Sequence, residues 1–220
     1  MTTATASPEQ VHAAEREALD GFLKRSDGAR WRIAMRVDKY DLDAVERARA
    51  FFGLRPNEEP SGAQLAAVAA PVEVVANLGN LLTRQGKKRL MDRLAGTASN
   101  QALDATHCRV GVGDGSTAAA DTDTDLSAVA GSTHRQFKLV DSVTVGSGAS
   151  SGVLTIVATF GTALANFAWS EWGVDGGTAD GTTVTSETNA TPGLINRKVE
   201  ALGTKTAAGT WVITVTITIT

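Results

Sequence analysis

The chain has 220 residues, of which 42% are hydrophobic and 20% charged; that length and balance describe a soluble globular protein rather than a disordered one and suit one large domain or two smaller ones. A lone cysteine, Cys108, excludes an internal disulfide framework, and no run approaches the roughly 20 apolar residues that a membrane-spanning helix needs. The net charge of −3 is uneven, because 16 of the 21 Lys and Arg but only 14 of the 24 acids precede Val110, leaving the first part at +2 and the remainder at −5.

The opening MTTATASPEQ does not follow the basic-then-apolar order of a secretory signal, so synthesis and folding in the cytosol are expected. Ser7, Pro8 and Gln10 carry the signature of a capped helix start, followed by a stripe of Val11, Leu19, Phe22 and Leu23. Trp31 to Val37 alternates as a short strand. A second helix is expected after Asp41 or Asp43, with Val45, Ala48, Phe51 and Phe52 apolar and Gly53 as its stop. Arg55 to Gly62 reads as a loop, and Val72, Val74 and Val75 as a short strand after Pro71. A third helix is expected over about Leu81 to Leu94, with Leu90, Met91 and Leu94 inward, a basic outer face and an end at Gly96.

From Val110 the composition turns to Thr, Ser, Gly and Val with recurrent turn clusters, the texture of an all-β sandwich or barrel. Strands are expected over Arg109 to Val112, Gln136 to Val145, Gly152 to Phe160, Phe167 to Val174, Leu194 to Ala201 and the segment WVITVTITIT, with a hairpin connection at Gly146 to Gly152. Gly176 to Gly193 reads as a long loop with a small ribbon at Thr182 to Thr185. In WVITVTITIT, Trp211, Ile213, Val215, Ile217 and Ile219 share one face, while Thr214, Thr216, Thr218 and Thr220 share the other with Val212. Such a strand at an open edge would invite unwanted pairing, so it is expected inside a larger sheet or an assembly. The fold class is therefore α+β: a mainly helical N-terminal region over 1–75, a helix-containing linker over 76–108 and an antiparallel β-sandwich over 109–220.

Candidate chemistry is thin. Arg84, Lys87, Lys88, Arg89 and Arg93 form a basic cluster without interleaved aromatics, which fits a solvated face or an acidic protein partner better than nucleic acid. Asp121, Asp123 and Asp125 are spaced like the first ligands of a calcium loop, but Leu126 and Ser132 occupy the positions that need glycine and glutamate. Gly111, Gly113 and Gly115 lack the later glycine of a dinucleotide turn, Ser116 standing there, and lack the Gly-Lys pair of a Walker loop. His12, His107, His134 and Cys108 build no recognisable nucleophile setting or metal set. No cofactor, metal or catalytic residue is assigned. Trp169 and Trp172, three apart, are expected on opposite faces of one strand, and Trp211 in the core.

Three blocks, RVGVGDGSTAAADTDTDL at 109–126, ATFGTALANFAWSEWGVDGG at 158–177 and LINRKVEALGTKTAAGTWVITVTITI at 194–219, resemble structural proteins of tailed bacteriophages. The likeness extends from about Ala76 to Thr220 and includes Gly79-Asn80-Leu81-Leu82; residues 1–70 carry no motif of it. It implies a virion component without enzymatic activity, assembled in the host cytoplasm, with Glu171 and Arg197 on neighbouring strands as a register-fixing pair. If exposed, that pair contributes only about 0–1 kcal/mol.

Three functional readings follow. The first is a capsid decoration (cement) or minor capsid protein that contacts the major capsid protein or other virion proteins. It would self-associate, most plausibly as a trimer, through the Thr214, Thr216 and Thr218 face, with Arg84, Lys87 and Lys88 as a further contact. The second is a tail collar or baseplate subunit, or a fibre anchor. The third is a nucleic-acid or small-ligand module using the basic helix.

Overall fold

The computed structural model describes residues 31–96, 103–176, 185–186 and 193–219. The helix expected from Ser7, with its Val11, Leu19, Phe22 and Leu23 stripe, lies outside the described residues. Two antiparallel sheets pack face to face, accompanied by three α-helices among the described residues.

The first sheet contains β1 (Trp31–Asp41), β2 (Glu73–Leu78), β6 (Ser142–Val145), β7 (Val153–Phe160) and β11 (Gly209–Ile219), in the order β2-β1-β11-β7-β6. The second contains β3 (Leu81–Leu82), β4 (Arg109–Gly113), β5 (Arg135–Leu139), β8 (Ala168–Asp175), β9 (Thr185–Ser186) and β10 (Leu194–Thr204), in the order β3-β10-β8-β4-β5-β9. The Ile/Thr strand is therefore the middle strand of its sheet. Its backbone groups are paired on both sides, by β1 and by β7, which removes the hazard that the same sequence would pose at an edge.

Pairing of β1 with β11 is continuous from Trp31↔Ile219 to Asp41↔Gly209, and the inward residues meet as apolar pairs: Ile33↔Ile217, Met35↔Val215 and Val37↔Ile213. Strands β1 and β2 come from the stretch expected to be mainly helical, and β3 from the expected linker, so the described part of the N-terminal half is built into the sandwich. Long-range pairing of this kind leaves no local trace in β1, whose alternation marks a strand but not its partner. The core between the sheets joins Ile33, Met35, Val37, Ile156, Ile213 and Val215 of the first to Val110, Val112, Trp172, Val174 and Ile195 of the second. Of the expected Trp/Ile/Val row, Trp211 to Ile217 is buried, whereas Ile219 is half exposed at the sheet end.

Helix α1 (Leu42–Phe52) starts where the Asp41 carboxylate accepts from the Ala44 N–H and stops at Gly53, whose φ of 66° is left-handed. It buries Ala44, Val45 and Ala48; Phe51, expected on the apolar stripe, is 75% exposed. Helix α2 (Gly62–Val68) follows a reciprocal Ser61–Gln64 capping box. Together they cover one end of the first sheet's outer face, packing Tyr40, Leu65 and Val212.

Helix α3 (Arg84–Leu94) begins later than expected because Leu81 and Leu82 pair with β10 as β3. Thr83 caps it, and its Gly86 lies so close to the Ile195 carbonyl that any Cβ would collide. This approach turns Arg89 inward and leaves Met91 exposed, the reverse of the expected inward Met91; Leu90 is half-buried. The expected strand Gln136 to Val145 is two strands in different sheets. The switch is at Val140 and Asp141, whose N–H groups donate to Cys108 O and to Val157 O respectively. Both Trp169 and Trp172 are buried in the shared core, contrary to strict alternation, and the pairing of β8 with β10 shifts register between Val199 and Gly203 beside them.

Candidate interaction surface

Members of two of the motifs, Asp123, Gly113 and Gly115, meet at one buried polar cage over the second sheet. The Glu171 Oε2 accepts from Ser127 N at 3.0 Å, Ser127 Oγ at 3.1 Å and Arg197 Nε at 2.7 Å, while Oε1 accepts from Ala128 N at 2.7 Å. Arg197 donates in turn to Asp123 Oδ2, the Thr117 carbonyl and Ser127 Oγ, each at 2.7 Å. The expected Glu171–Arg197 pair therefore exists but is fully buried, at 0% and 1% side-chain exposure. The exposed-pair magnitude does not apply, because loop 114–134 folds over it and excludes water.

Two of the three glycines serve this cage, and the third, Gly111, makes room for Phe137. A Cβ on Gly113 would sit 2.8 Å from Glu171 Oε1 and 2.9 Å from the Ala128 Cβ, one on Gly115 would overlap Ser127 Oγ, and one on Gly111 would enter the Phe137 ring. Each of the three aspartates of the calcium-like spacing meets a different cation: Asp121 lies 3.1 Å from Arg84, Asp123 2.7 Å from Arg197 and Asp125 3.0 Å from Arg135. Burial raises the Asp125 pKa, against the opposing pull of Arg135. A carboxylate set whose members point to separate arginines does not converge on a cation, and no group of three or more metal-ligating side chains occurs among the described residues.

The basic helix is similarly engaged. Arg84 and Lys87 both face Asp121, Lys88 pairs with Asp92 at 2.6 Å, and Arg89 is buried near Asp175, which also binds Arg109 at 2.8 Å. His107 and His134 each lie against a neighbouring aspartate, Asp104 and Asp114. Cys108 is fully buried, and burial pushes its thiol pKa well up, so it is no nucleophile. Trp169 packs edge-on against Phe160 and Trp211, at ring-centroid distances of 5.0 and 4.7 Å.

What the first sheet offers is different. Among the described residues only α1 and α2 cover its outer face, and a shallow groove of about 370 Å³ runs across the remainder between Ala34, Arg36, Ala76, Leu78, Thr214 and Thr216. Thr214, Thr216 and Thr218 are half-buried there, so the threonine row expected at an interface lies on a broad sheet face rather than along an edge. Leu78 at its margin is 83% exposed; farther along the same side of the sheet, Val74 of β2 and Val72 just before it are 44% and 65% exposed.

No family model, curated protein or solved structure matches this chain. The geometry itself therefore carries the functional reading. Sequence reasoning did not find the Asp123–Arg197 and Arg109–Asp175 pairs or the apolar margin formed by Val72, Val74 and Leu78; the alternation of β2 was the one available signal for the last.

Proposed function

We propose that this chain is a non-enzymatic structural protein of a tailed-phage virion, a capsid decoration (cement) or minor capsid protein acting through protein–protein contacts. The observation that carries it is the part of the first sheet's outer face that no described element covers: a groove rich in Thr and Ala with exposed Leu78 at its margin, and exposed Val74 and Val72 farther along the same side of the sheet. A threonine-rich surface with an apolar margin, whose groove carries one charge, Arg36, paired with Asp38, suits a subunit contact. Charged side chains that would otherwise suggest a reaction are engaged with one another inside the fold, as in the Glu171–Arg197–Asp123 cage. The phage-like blocks at 109–126, 158–177 and 194–219 support the same reading. Symmetric self-association as a trimer would cover the face in the assembled particle.

The test mixes the purified chain with empty shells. Saturable binding that is weakened by Thr214→Lys and Thr216→Lys is expected; absence of saturable binding at any salt concentration overturns the capsid assignment. Gold-labelled antibody over the head agrees with this role, and label confined to the tail replaces it with a collar, baseplate or fibre-anchor role.

A further inference from the structure

At one end of the sandwich two connections pass between the sheets. Residues 161–167 lead from β7 to β8, and residues 205–208 lead from β10 to β11. The Lys205 N–H donates to the Phe167 carbonyl at 3.1 Å, holding the two connections together. The Lys205 side chain is buried, 1% exposed, and its Nζ donates to Gly161 O at 2.7 Å and to Asn166 Oδ1 at 3.0 Å. Asn166 Nδ2 donates to Thr162 O at 2.8 Å, which fixes the amide with its oxygen toward the lysine.

Glu59 approaches from the other side of the Gly161 peptide. Its Oε1 accepts from the Thr162 N–H at 3.1 Å and from the Thr162 hydroxyl, and a Cβ on Gly161 would sit 2.7 Å from its carboxyl carbon. Among the described residues Lys205 makes no ion pair within contact distance, so its ammonium is buried against neutral acceptors, an unfavourable state for a charge. Burial lowers its pKa to about 8, with the more distant Glu59 opposing. An amine so placed is partly neutral near physiological pH and is then a nucleophile.

We propose that Lys205 and Asn166 join in an intramolecular isopeptide bond. The neutral Nζ adds to Asn166 Cγ, forming the C–N bond and moving the carbonyl electron pair onto Oδ1. Collapse of this adduct breaks Cγ–Nδ2, and the nitrogen departs as ammonia carrying the proton released by Nζ. One amine and one primary amide become one secondary amide and one ammonia, with no oxidation or reduction. Asn166 is exposed, so the ammonia has a path to solvent. The product removes the buried charge and ties both inter-sheet connections at this end, a covalent staple in a chain whose lone cysteine provides no internal disulfide.

The test is the intact mass of the folded full-length chain after incubation at pH 8. The expected mass is lower than the sequence mass by one ammonia, and a tryptic digest yields a branched peptide linking residues 166 and 205. Lys205→Met and Asn166→Ala, each checked for folding by circular dichroism, return to full mass and melt at lower temperature. Asn166→Asp closes the bond with loss of one water instead. Folded wild-type protein that stays at full mass and yields no branched peptide overturns the proposal.

Discussion

Arg197 Nη2 lies 2.7 Å from Glu171 Oε2, diagonally across strands β10 and β8, with both side chains out of solvent. Burial changes what the pair is worth. Two exposed charges in this arrangement contribute little, whereas a buried carboxylate that loses its cation keeps its full desolvation cost. Arg197→Met is expected to reduce stability by about 3–5 kcal/mol. Glu171→Gln should cost less, since the amide retains an acceptor for the Ala128 N–H. In urea denaturation the double variant should lose less than the sum of the two single losses, and strict additivity would show the two residues to be uncoupled.

The glycine of β4 that faces Phe137 gives a second measurable consequence. Gly111 faces Phe137, and a methyl there would sit 2.6 Å from the ring Cδ1. Gly111→Ala is expected to destabilise by about 1–3 kcal/mol through overpacking. Shortening the opposing ring by Phe137→Leu in the same chain should return part of that loss. A Gly111→Ala protein as stable as the parent would mean that β4 and β5 shift apart freely.

How much of this was legible beforehand depended on the range of the interaction. The alternation of β11 and β7 and the Asp41 cap and Gly53 stop of α1 are written within a few residues, and the structure has them. The partnership of Trp31 with Ile219 joins opposite ends of the described fold, and nothing in either segment names the other. The break at Val140 and Asp141 was hidden because both halves alternate; only the positions of Cys108 and Val157 reveal that they belong to different sheets. The Glu171–Arg197 pair was readable as a pair, but its burial depends on loop 114–134, whose polar composition suggests solvent. Lys205 carries no motif at all. Its setting arises from three segments that meet only in the folded chain.

Cys108 should behave as a reporter of unfolding. It is 0% exposed, and burial holds the thiol protonated well above its ordinary range, so neither access nor thiolate is provided in the folded state. Native protein between pH 7 and 9 should react with a thiol reagent far more slowly than protein in urea. Its rate should not climb with pH as that of a free thiol does. Rapid stoichiometric labelling without denaturant would place Cys108 at the surface.

The open sheet face separates stability from association. Thr214 and Thr216 are half-buried on the groove, and their side chains do not enter the core between the sheets. Thr214→Lys and Thr216→Lys should each change stability by no more than about 0.5 kcal/mol, the usual scale for surface substitutions. Sedimentation should nevertheless show weakened self-association, because two lysines placed across a shared face repel and must be desolvated. Unchanged association together with unchanged stability would remove this face from any subunit contact.

The opposite face of the same strand makes the complementary case. Ile213 is fully buried and lies between Val37 of β1 and Ala158 of β7, so truncating it opens a cavity at the centre of the first sheet. Ile213→Ala is expected to cost about 2–5 kcal/mol. Deleting residues 215–220 goes further, since β1 loses its partners for Trp31 to Met35 and β7 loses those for Val153 to Ile156. Because β11 is a middle strand, its loss leaves two unpaired edges facing each other and exposes Ile33, Met35 and Ile156. The truncated chain should therefore show no cooperative thermal transition and should aggregate on expression. A soluble truncation product melting as sharply as the parent would mean that the sandwich closes without its central strand, which the continuous β1–β11 register contradicts.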